Sequence, residues 1–355
     1  MKIALLGPYP PPYGGISVHV QRLKENLEER GVPCIVYDYS GVPKKIPGVV
    51  TVRNRAMWFL AQLFHSPANI IHCHGYNPTA LIFLSLLAAI KRKGIIMTPH
   101  GFLFDAKGIH LWHKLAFLLA AKTGVYFVAE SLNSKKIILS LGIKPENVNE
   151  QVIPGFIPPI VKAEEVAQIS QEVWDFIDRH NPILTANAFR ISFYNGEDLY
   201  GIDLCIELCA NLKVNYPKIG LVFCLPDIGD HKYFSKMREK IRDCKVEDNF
   251  LFVTQPCLYY PILTKSHLFV RPTNTDGDAI SLREALYFKV PSVASDAAIR
   301  PEGTILFKNR DANDLTQKVE DTLDNCKVYK EKLETLKLED NSDKLLKIFH
   351  KLASR

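Results

Sequence analysis

The sequence predicts an α/β protein made of two doubly wound, Rossmann-like domains facing across a cleft. Three observations carry this prediction. Short apolar runs alternate with helix-like text along the chain, the pattern of parallel strands with helices on both faces. The alternation breaks at 152–159, "VIPGFIPP", where three prolines and a glycine fall in eight residues and regular structure cannot continue. A second strand–helix series then begins. Sheets of this kind bind ligands beyond the carboxyl ends of their strands, so two of them meeting at a proline-rich hinge predict a ligand cleft.

Taken in order, "KIALLG" (2–7) reads as a buried strand and Ile16–Leu27 as an amphipathic helix. "CIVYDY", "VVTVR", "NIIHCHG", "GIIMTPH" and "VYFVAES" are further strands, each followed by helical text. Beyond the break come "ILTANAF", "IGLVFCL", "NFLFVT", "SHLFVRPT" and "PSVASD", with helices such as Ile202–Leu212 and Tyr233–Cys244 between them. Residues 313–355 read as Lys-rich, Leu-patterned helices. The expected divisions are an N-terminal domain over 1–155, a C-terminal domain over 156–335, and a terminal helix within 336–355 able to pack back on the first domain.

Composition excludes several classes. With 355 residues, 47% of them hydrophobic and 23% charged, the chain suits two soluble cores. The start, "MKIALLGPYP", is too short for a signal peptide. The longest apolar run, "ALIFLSLLAAI" (80–90), falls short of the roughly 20 residues that span a bilayer. A cytoplasmic protein, or one attached peripherally at the cytoplasmic face of the membrane, is expected. The eight cysteines include no Cys-x-x-Cys pair, and Cys205 and Cys209 share a helical face, so no zinc site and a reducing compartment are expected. Residues 1–165 hold 18 Lys and Arg against 10 Asp and Glu, a surplus of +8 within an overall +6. That surplus suits solvated surface, or an anionic partner such as a phosphate-bearing ligand or an acidic lipid surface.

Polar residues gather at the predicted strand ends. Gly14 and Gly15 lie directly before the first helix, where backbone can approach a ligand and free N–H groups favour an anion. His72 and His74 end one strand and His100 ends the next, a pattern that suits hydrogen bonding to a hydroxylated ligand and lacks metalloprotease zinc spacing. In "TDGDAISLREAL" (275–286), Asp276 and Glu284 stand eight residues apart across a glycine. Ser281 and Glu284 also fit a capping box opening a helix, with Asp276 and Asp278 as turn residues around Gly277.

These motifs resemble a family 4 glycosyltransferase with the two-domain GT-B fold. The resemblance rests on the Gly-Gly loop in "GPYPPPYGGISVHV", the strand-end His100, and the Glu-x7-Glu signature matched by Asp276 and Glu284 after "FVRPTNT" and continued by "EALYFKVPSVASD". It implies a nucleotide-sugar donor, by family frequency a UDP-sugar, with Asp276 at the sugar and Glu284 at the ribose. Main-chain N–H groups of Gly277, Asp278, Ala279, Ile280 and Ser281 would face sugar and diphosphate, with Gly14 and Gly15 also on the donor. Together with Asp276 and Glu284, His100 is a catalytic candidate; His74 and Tyr76 fall on the acceptor side. The implied reaction is metal-independent, cofactor-free transfer with retained anomeric configuration to a glycan or lipid-linked acceptor, in surface polysaccharide or glycoconjugate synthesis. No nucleic-acid partner is implied.

Three positions depart from the family. Asp276 is one methylene shorter than the usual Glu. In "ANAFRISFYNGEDLYGIDL", Tyr200 replaces the Lys before Gly201, and Arg190 is the displaced candidate for the other diphosphate cation. Two other readings therefore stay open: a sugar-nucleotide epimerase of the same fold, and a degenerate GT-B subunit that only binds. The segments 57–64 and 110–119 place Trp58 and Trp112 beside aliphatic runs, which suits either buried helices or an anionic membrane surface reached through Lys91, Arg92 and Lys93.

Overall fold

The computed structural model describes residues 1–65, 68–100, 111–277, 279–336, 338 and 340–354, with backbone alone at 55, 56 and 63–65. The chain divides into two compact units, one of residues 1–160 with 340–355 and one of residues 161–339.

In unit 1 the strands are β1 (Ile3–Leu6), β2 (Cys34–Asp38), β3 (Val49–Thr51), β4 (Ile70–His74), β5 (Gly94–Thr98) and β6 (Tyr126–Phe127). They form one parallel sheet in the order β3-β2-β1-β4-β5-β6. Its helices are α1 (Gly15–Glu29), α2 (Arg55–His65), α3 (Pro78–Lys91), α4 (Leu111–Thr123), α5 (Leu132–Ser140) and the C-terminal helix Asn341–Ala353. Strand alternation sorts the core into two layers. Ile3, Leu5, Ile70 and Ile96 pack with Val20, Leu23 and Leu27 of α1 and with Leu345, Phe349 and Leu352 of the C-terminal helix. Ala4, Leu6, Ile71 and Met97 face the other way, onto Leu81 and Leu84 of α3 and Phe117 and Ala120 of α4. Both faces are covered, which is why the strands read as unbroken apolar runs.

Residues 152–159 carry no regular structure, as the prolines require. They are nevertheless anchored: Asn341 Nδ2 donates to the carbonyls of Pro154 and Phe156 at 3.0 Å each, and Arg22 donates to that of Ile157.

Unit 2 repeats the plan. Helices α6 (Ala163–Val166) and α7 (Gln171–Arg179) precede β7 (Ile183–Asn187) and an antiparallel pair, β8 (Phe193–Tyr194) and β9 (Glu197–Asp198). Then follow α8 (Ile202–Lys213), β10 (Gly220–Cys224), α9 (His231–Asp243), β11 (Phe250–Val253), α10 (Tyr260–Leu263), β12 (Leu268–Arg271), α11 (Ile280–Tyr287), β13 (Ser292–Ser295), β14 (Ile305–Phe307), α12 (Ala312–Asp324) and α13 (Cys326–Glu334). The C-terminal helix of unit 1 is α14. The sheet order is β11-β10-β7-β12-β13-β14, all parallel. Cys205 and Cys209 are buried on α8 among Leu184, Leu221 and Val270, as free thiols acting as small apolar groups.

Each sheet reverses its winding once, between β1 and β4 and between β7 and β12. Loops leave in opposite directions there, opening a crevice at the carboxyl ends of the strands. The polar clusters of both units stand at these two points.

Candidate active site

In unit 2, β7 ends at Asn187 and β12 at Arg271. Arg271 Nη1 donates to the Asn187 carbonyl at 3.0 Å, bridging the reversal point. Its Nε donates to Asp276 Oδ2 at 3.0 Å, and Arg300 Nη1 donates to the same oxygen at 2.9 Å. Thr273 Oγ1 donates to it as well, at 3.1 Å. Arg300 also holds Ser295 through its carbonyl and Oγ. Burial alone would raise the Asp276 pKa, but the two guanidiniums outweigh it and hold the carboxyl below its ordinary value. Asp276 is thus a structural counter-ion between two arginines in this state.

Glu284 lies on α11, 3% exposed. The expected capping box is not formed. The N-cap of α11 is Ala279 with no side-chain cap, and Ser281 is already the second helical residue. A cap side chain must sit on extended backbone at the helix entry, and Ser281 has passed into the helix and is buried there. Gly277 is exposed, Ala279 buried and Ile280 half-buried at this entry; Asp278 lies outside the described residues.

Tyr200 sits beside the network, with the Arg271 guanidinium 5.2 Å over its ring. Where the family's Lys is missing, an aromatic ring supports an arginine from the neighbouring strand. The next residue, Gly201, has φ +66° and starts α8; a Cβ there would meet the Pro272 carbonyl at 2.6 Å, so only glycine fits. Asp198 accepts from the N–H groups of Tyr200 and Ile202 at 3.0 and 2.8 Å, fixing this turn. Arg190 stands apart. It is largely exposed and pairs with Asp227 through Nε at 2.8 Å and Nη2 at 2.6 Å.

In unit 1 four histidines converge at the β1/β4 reversal. His72 and His74 end β4 with side chains fully buried, and His100 follows β5. His19 joins them from the inner face of α1, its ring centroid 5.1 Å from that of His74 and 4.8 Å from that of His100. His74 Nδ1 is 3.1 Å from His100 Nε2, and His100 Nδ1 is 2.7 Å from Glu130 Oε1. His72 Nε2 meets Thr98 Oγ1 at 2.7 Å, and His19 Nδ1 meets the Gly155 carbonyl at 2.5 Å. Burial first, then the neighbouring imidazoles, lower the pKa of His19 to about 4 and those of His72 and His74 well below the usual value, so these rings are neutral at pH 7.

Gly14 caps α1, its N–H donating to Ser17 Oγ at 2.8 Å, and Gly15 opens the helix in an exposed position. Tyr76 is half-buried, its hydroxyl 3.1 Å from His113 Nδ1. The structure therefore brings His74 and His100 together and adds His19 and Glu130, which sequence reasoning missed. It groups Asp276 with Arg271 and Arg300, also missed, and leaves Arg190 outside. Two signals were legible: a histidine on the apolar side of α1, and an arginine closing an otherwise apolar strand.

The comparisons agree with this architecture. The model for Glycosyltransferase Family 4 matches residues 13–159, and that for Glycosyl transferases group 1 matches residues 189–338. No curated protein matches the sequence. Among solved structures, Anabaena Alr3699/HepE in complex with UDP and glucose is 13% identical, with a TM-score of 0.67 over 100% of both chains. A glycosyltransferase from Rickettsia africae is 14% identical, with a TM-score of 0.69 over 99% of this chain and 98% of that one. Sucrose-phosphate synthase from Thermosynechococcus elongatus is 14% identical, with a TM-score of 0.61 over 100% of both. With one family model on each half of the sequence, the chain belongs to the family 4-type glycosyltransferases and has their GT-B architecture.

Proposed function

We propose that the protein moves a sugar from a UDP-sugar to a glycan or lipid-linked acceptor with retained anomeric configuration, as a step in surface polysaccharide or glycoconjugate synthesis. Unit 2 holds the donor in this reading. The observation that carries it is the buried Glu284 on α11, eight residues after Asp276, which Arg271 and Arg300 hold at the β7/β12 reversal. Transfer builds an oxocarbenium-like sugar and a diphosphate leaving group. Fixed positive charge and N–H dipoles aimed at that diphosphate lower the barrier. Arg271, supported by Tyr200, supplies the charge that the absent Lys would have given, and Asp276 holds it in place. No metal at the diphosphate and no organic cofactor are invoked. The UDP and glucose bound by Anabaena Alr3699/HepE support UDP-glucose as the first donor to try.

The test is the fate of the donor. Incubated with UDP-glucose and other UDP-sugars, a transferase releases UDP slowly alone and rapidly once an acceptor is added. Conversion of the sugar itself would identify an epimerase, and an unchanged donor with every acceptor would identify a binding subunit.

A membrane surface for unit 1 is supported by exposed apolar side chains. Among the described residues no helix is long and apolar enough to cross a membrane. Trp58 is core, 8% exposed and against Tyr37. Trp112, by contrast, is 66% exposed, with Leu111, Leu115 and Leu118 exposed along the same helix. Phe83, Leu86 and Ile90 are exposed on α3, which ends in the exposed Lys91 and Arg92. Lys93 instead donates to the Ala68 carbonyl. Apolar and aromatic side chains next to exposed cations suit the interface of an anionic leaflet.

A further inference from the structure

The C-terminal helix α14 has two faces. In "NSDKLLKIFHKLA" the apolar residues Leu345, Phe349 and Leu352 turn into the core of unit 1. Lys344, Lys347 and Lys351 recur at i, i+3 and i+7, a spacing that sets all three on one outer stripe. Lys347 and Lys351 are four residues apart, a like-charge pair that an isolated helix disfavours. The acids at the start of the helix are turned elsewhere, because Asp340 and Asp343 both pair with Arg30 of α1.

This stripe lines an open cavity of about 650 Å³ inside unit 1, within the roughly 300–1,000 Å³ of small-molecule sites. Its other wall is made by α5 and the segment 145–153, and Lys135 of α5 adds a fourth ammonium group. That wall is fixed. Val148 bridges Phe127 in parallel register beyond the edge strand β6. The buried Asn149 accepts from the Ala129 N–H at 2.6 Å and donates to the Ala129 carbonyl at 3.0 Å. Tyr126, Val148 and Ile348 supply apolar lining, with Lys351 Nζ 5.6 Å over the Tyr126 ring. Two acids also line the cavity, Glu146 and Glu150, so four lysines against two carboxylates leave +2. Glu146 lies 3.9 Å from Lys144, and Lys135 donates to the main-chain carbonyl of Glu150.

We propose that this cavity binds a phosphate-bearing ligand, with the lysines meeting the phosphate and Tyr126 and its aliphatic neighbours meeting an adjoining ring or acyl group. Lysine holds phosphate as a point charge. A merely solvated surface has no need to bring like charges from α5 and α14 around one concave, partly apolar wall. A soluble phosphoester and a phospholipid headgroup present the same chemistry. None of the described lining residues belongs to the histidine cluster at the β1/β4 reversal. The site uses unit 1 alone and stands independently of the transferase reading.

Full-length protein is acetylated with acetic anhydride at physiological salt, and each lysine is followed by mass spectrometry. The reaction is run alone, with inorganic pyrophosphate, and with vesicles of phosphatidylcholine containing phosphatidylglycerol. UDP is present throughout to occupy a donor site. Protection of Lys347 and Lys351 is expected, with Lys327 and Lys330 on α13 of unit 2 unprotected. Protection by pyrophosphate supports the proposal with a soluble phosphoester as ligand, and protection by the vesicles alone supports it with a lipid headgroup. By calorimetry or flotation, whichever matches the protecting probe, Lys347→Gln with Lys351→Gln should weaken binding at least tenfold. The pair Lys327→Gln and Lys330→Gln should leave it unchanged. Both α14 lysines are exposed, and the thermal midpoint identifies a variant that fails to fold, in which case the wild-type protection decides. Protection by neither probe, equal protection of Lys327 and Lys330, or wild-type affinity in the folded α14 variant overturns the proposal.

Discussion

The two reversal points solve the same problem in opposite ways. In unit 2 the buried groups are charged, and Asp276 is shared between Arg271 and Arg300 through short hydrogen bonds, leaving one positive charge in excess. In unit 1 they are neutral, and three imidazoles avoid the penalty of burial by giving up their protons. A closed ion network positions a loop and tolerates no missing member, because the survivor becomes an unpaired buried charge. A neutral cluster tolerates loss more readily, yet it is exposed to acid. The two units should therefore fail under different challenges.

Acid provides the largest difference. The folded-state pKa of His19 lies near 4 against an unfolded value of 6.5. The unfolded chain binds the proton first, so stability falls as pH drops from 6.5 toward 4, and His19 alone accounts for on the order of 3 kcal/mol. Glu130 and Arg22 also face that ring and act in opposite directions. Asp276, with its pKa depressed, retains its contribution above the ordinary carboxylate value and loses it only below that. Urea unfolding from pH 7 to 4.5 should show a steady loss, shallower in His19→Gln. A flat profile would contradict the buried neutral cluster.

Removal of Asp276 comes next. Asp276→Ala leaves two guanidiniums facing each other and should cost about 3 kcal/mol in urea unfolding, while His100→Ala, which strands no such pair of like charges, should cost about 1 kcal/mol. Equal costs would erase the contrast between the networks. His100→Ala should lower transfer about 100-fold, roughly 2.7 kcal/mol of barrier, with donor affinity changed little. Strong loss of donor affinity with turnover intact would place His100 on the donor instead.

The membrane contrast is smaller. Neutralising Lys91 and Arg92 should weaken binding to anionic vesicles by about 1 kcal/mol per charge at low salt, and Trp112→Ala should weaken it further, while Lys93→Gln should matter least because Lys93 is held by Ala68. Flotation that does not distinguish anionic from neutral vesicles would point to a soluble acceptor.

How much of this was legible in the sequence follows from the range of the interactions. Strands such as 2–7 and helices such as Ile202–Leu212 were readable because burial on both faces, or on one face, writes a local period. The position of Glu284 on a helix after β12 was readable for the same reason. The partnership of Asp276 with Arg300 was not, since they stand 24 positions apart with a helix and a strand between them, nor was that of His19 with Gly155, 136 positions away. Trp58 and Trp112 sit in similar apolar text, and only the rotation of each helix on the sheet decides which ring is buried. Ser281 and Glu284 have the spacing of a capping box, but the helix begins before Ser281, so spacing alone misplaced the cap.

The proposed role of Glu284 as the acid that meets the donor is tested most directly by calorimetric titration of UDP-glucose into wild type and Glu284→Gln at one pH, alongside their thermal midpoints. Saturable binding to the wild type is predicted, with affinity at least tenfold weaker in Glu284→Gln and a midpoint unchanged between the two. Equal affinities, or a lost midpoint that accounts for the lost binding, would show that Glu284 is a structural residue of α11 and contradict the donor site.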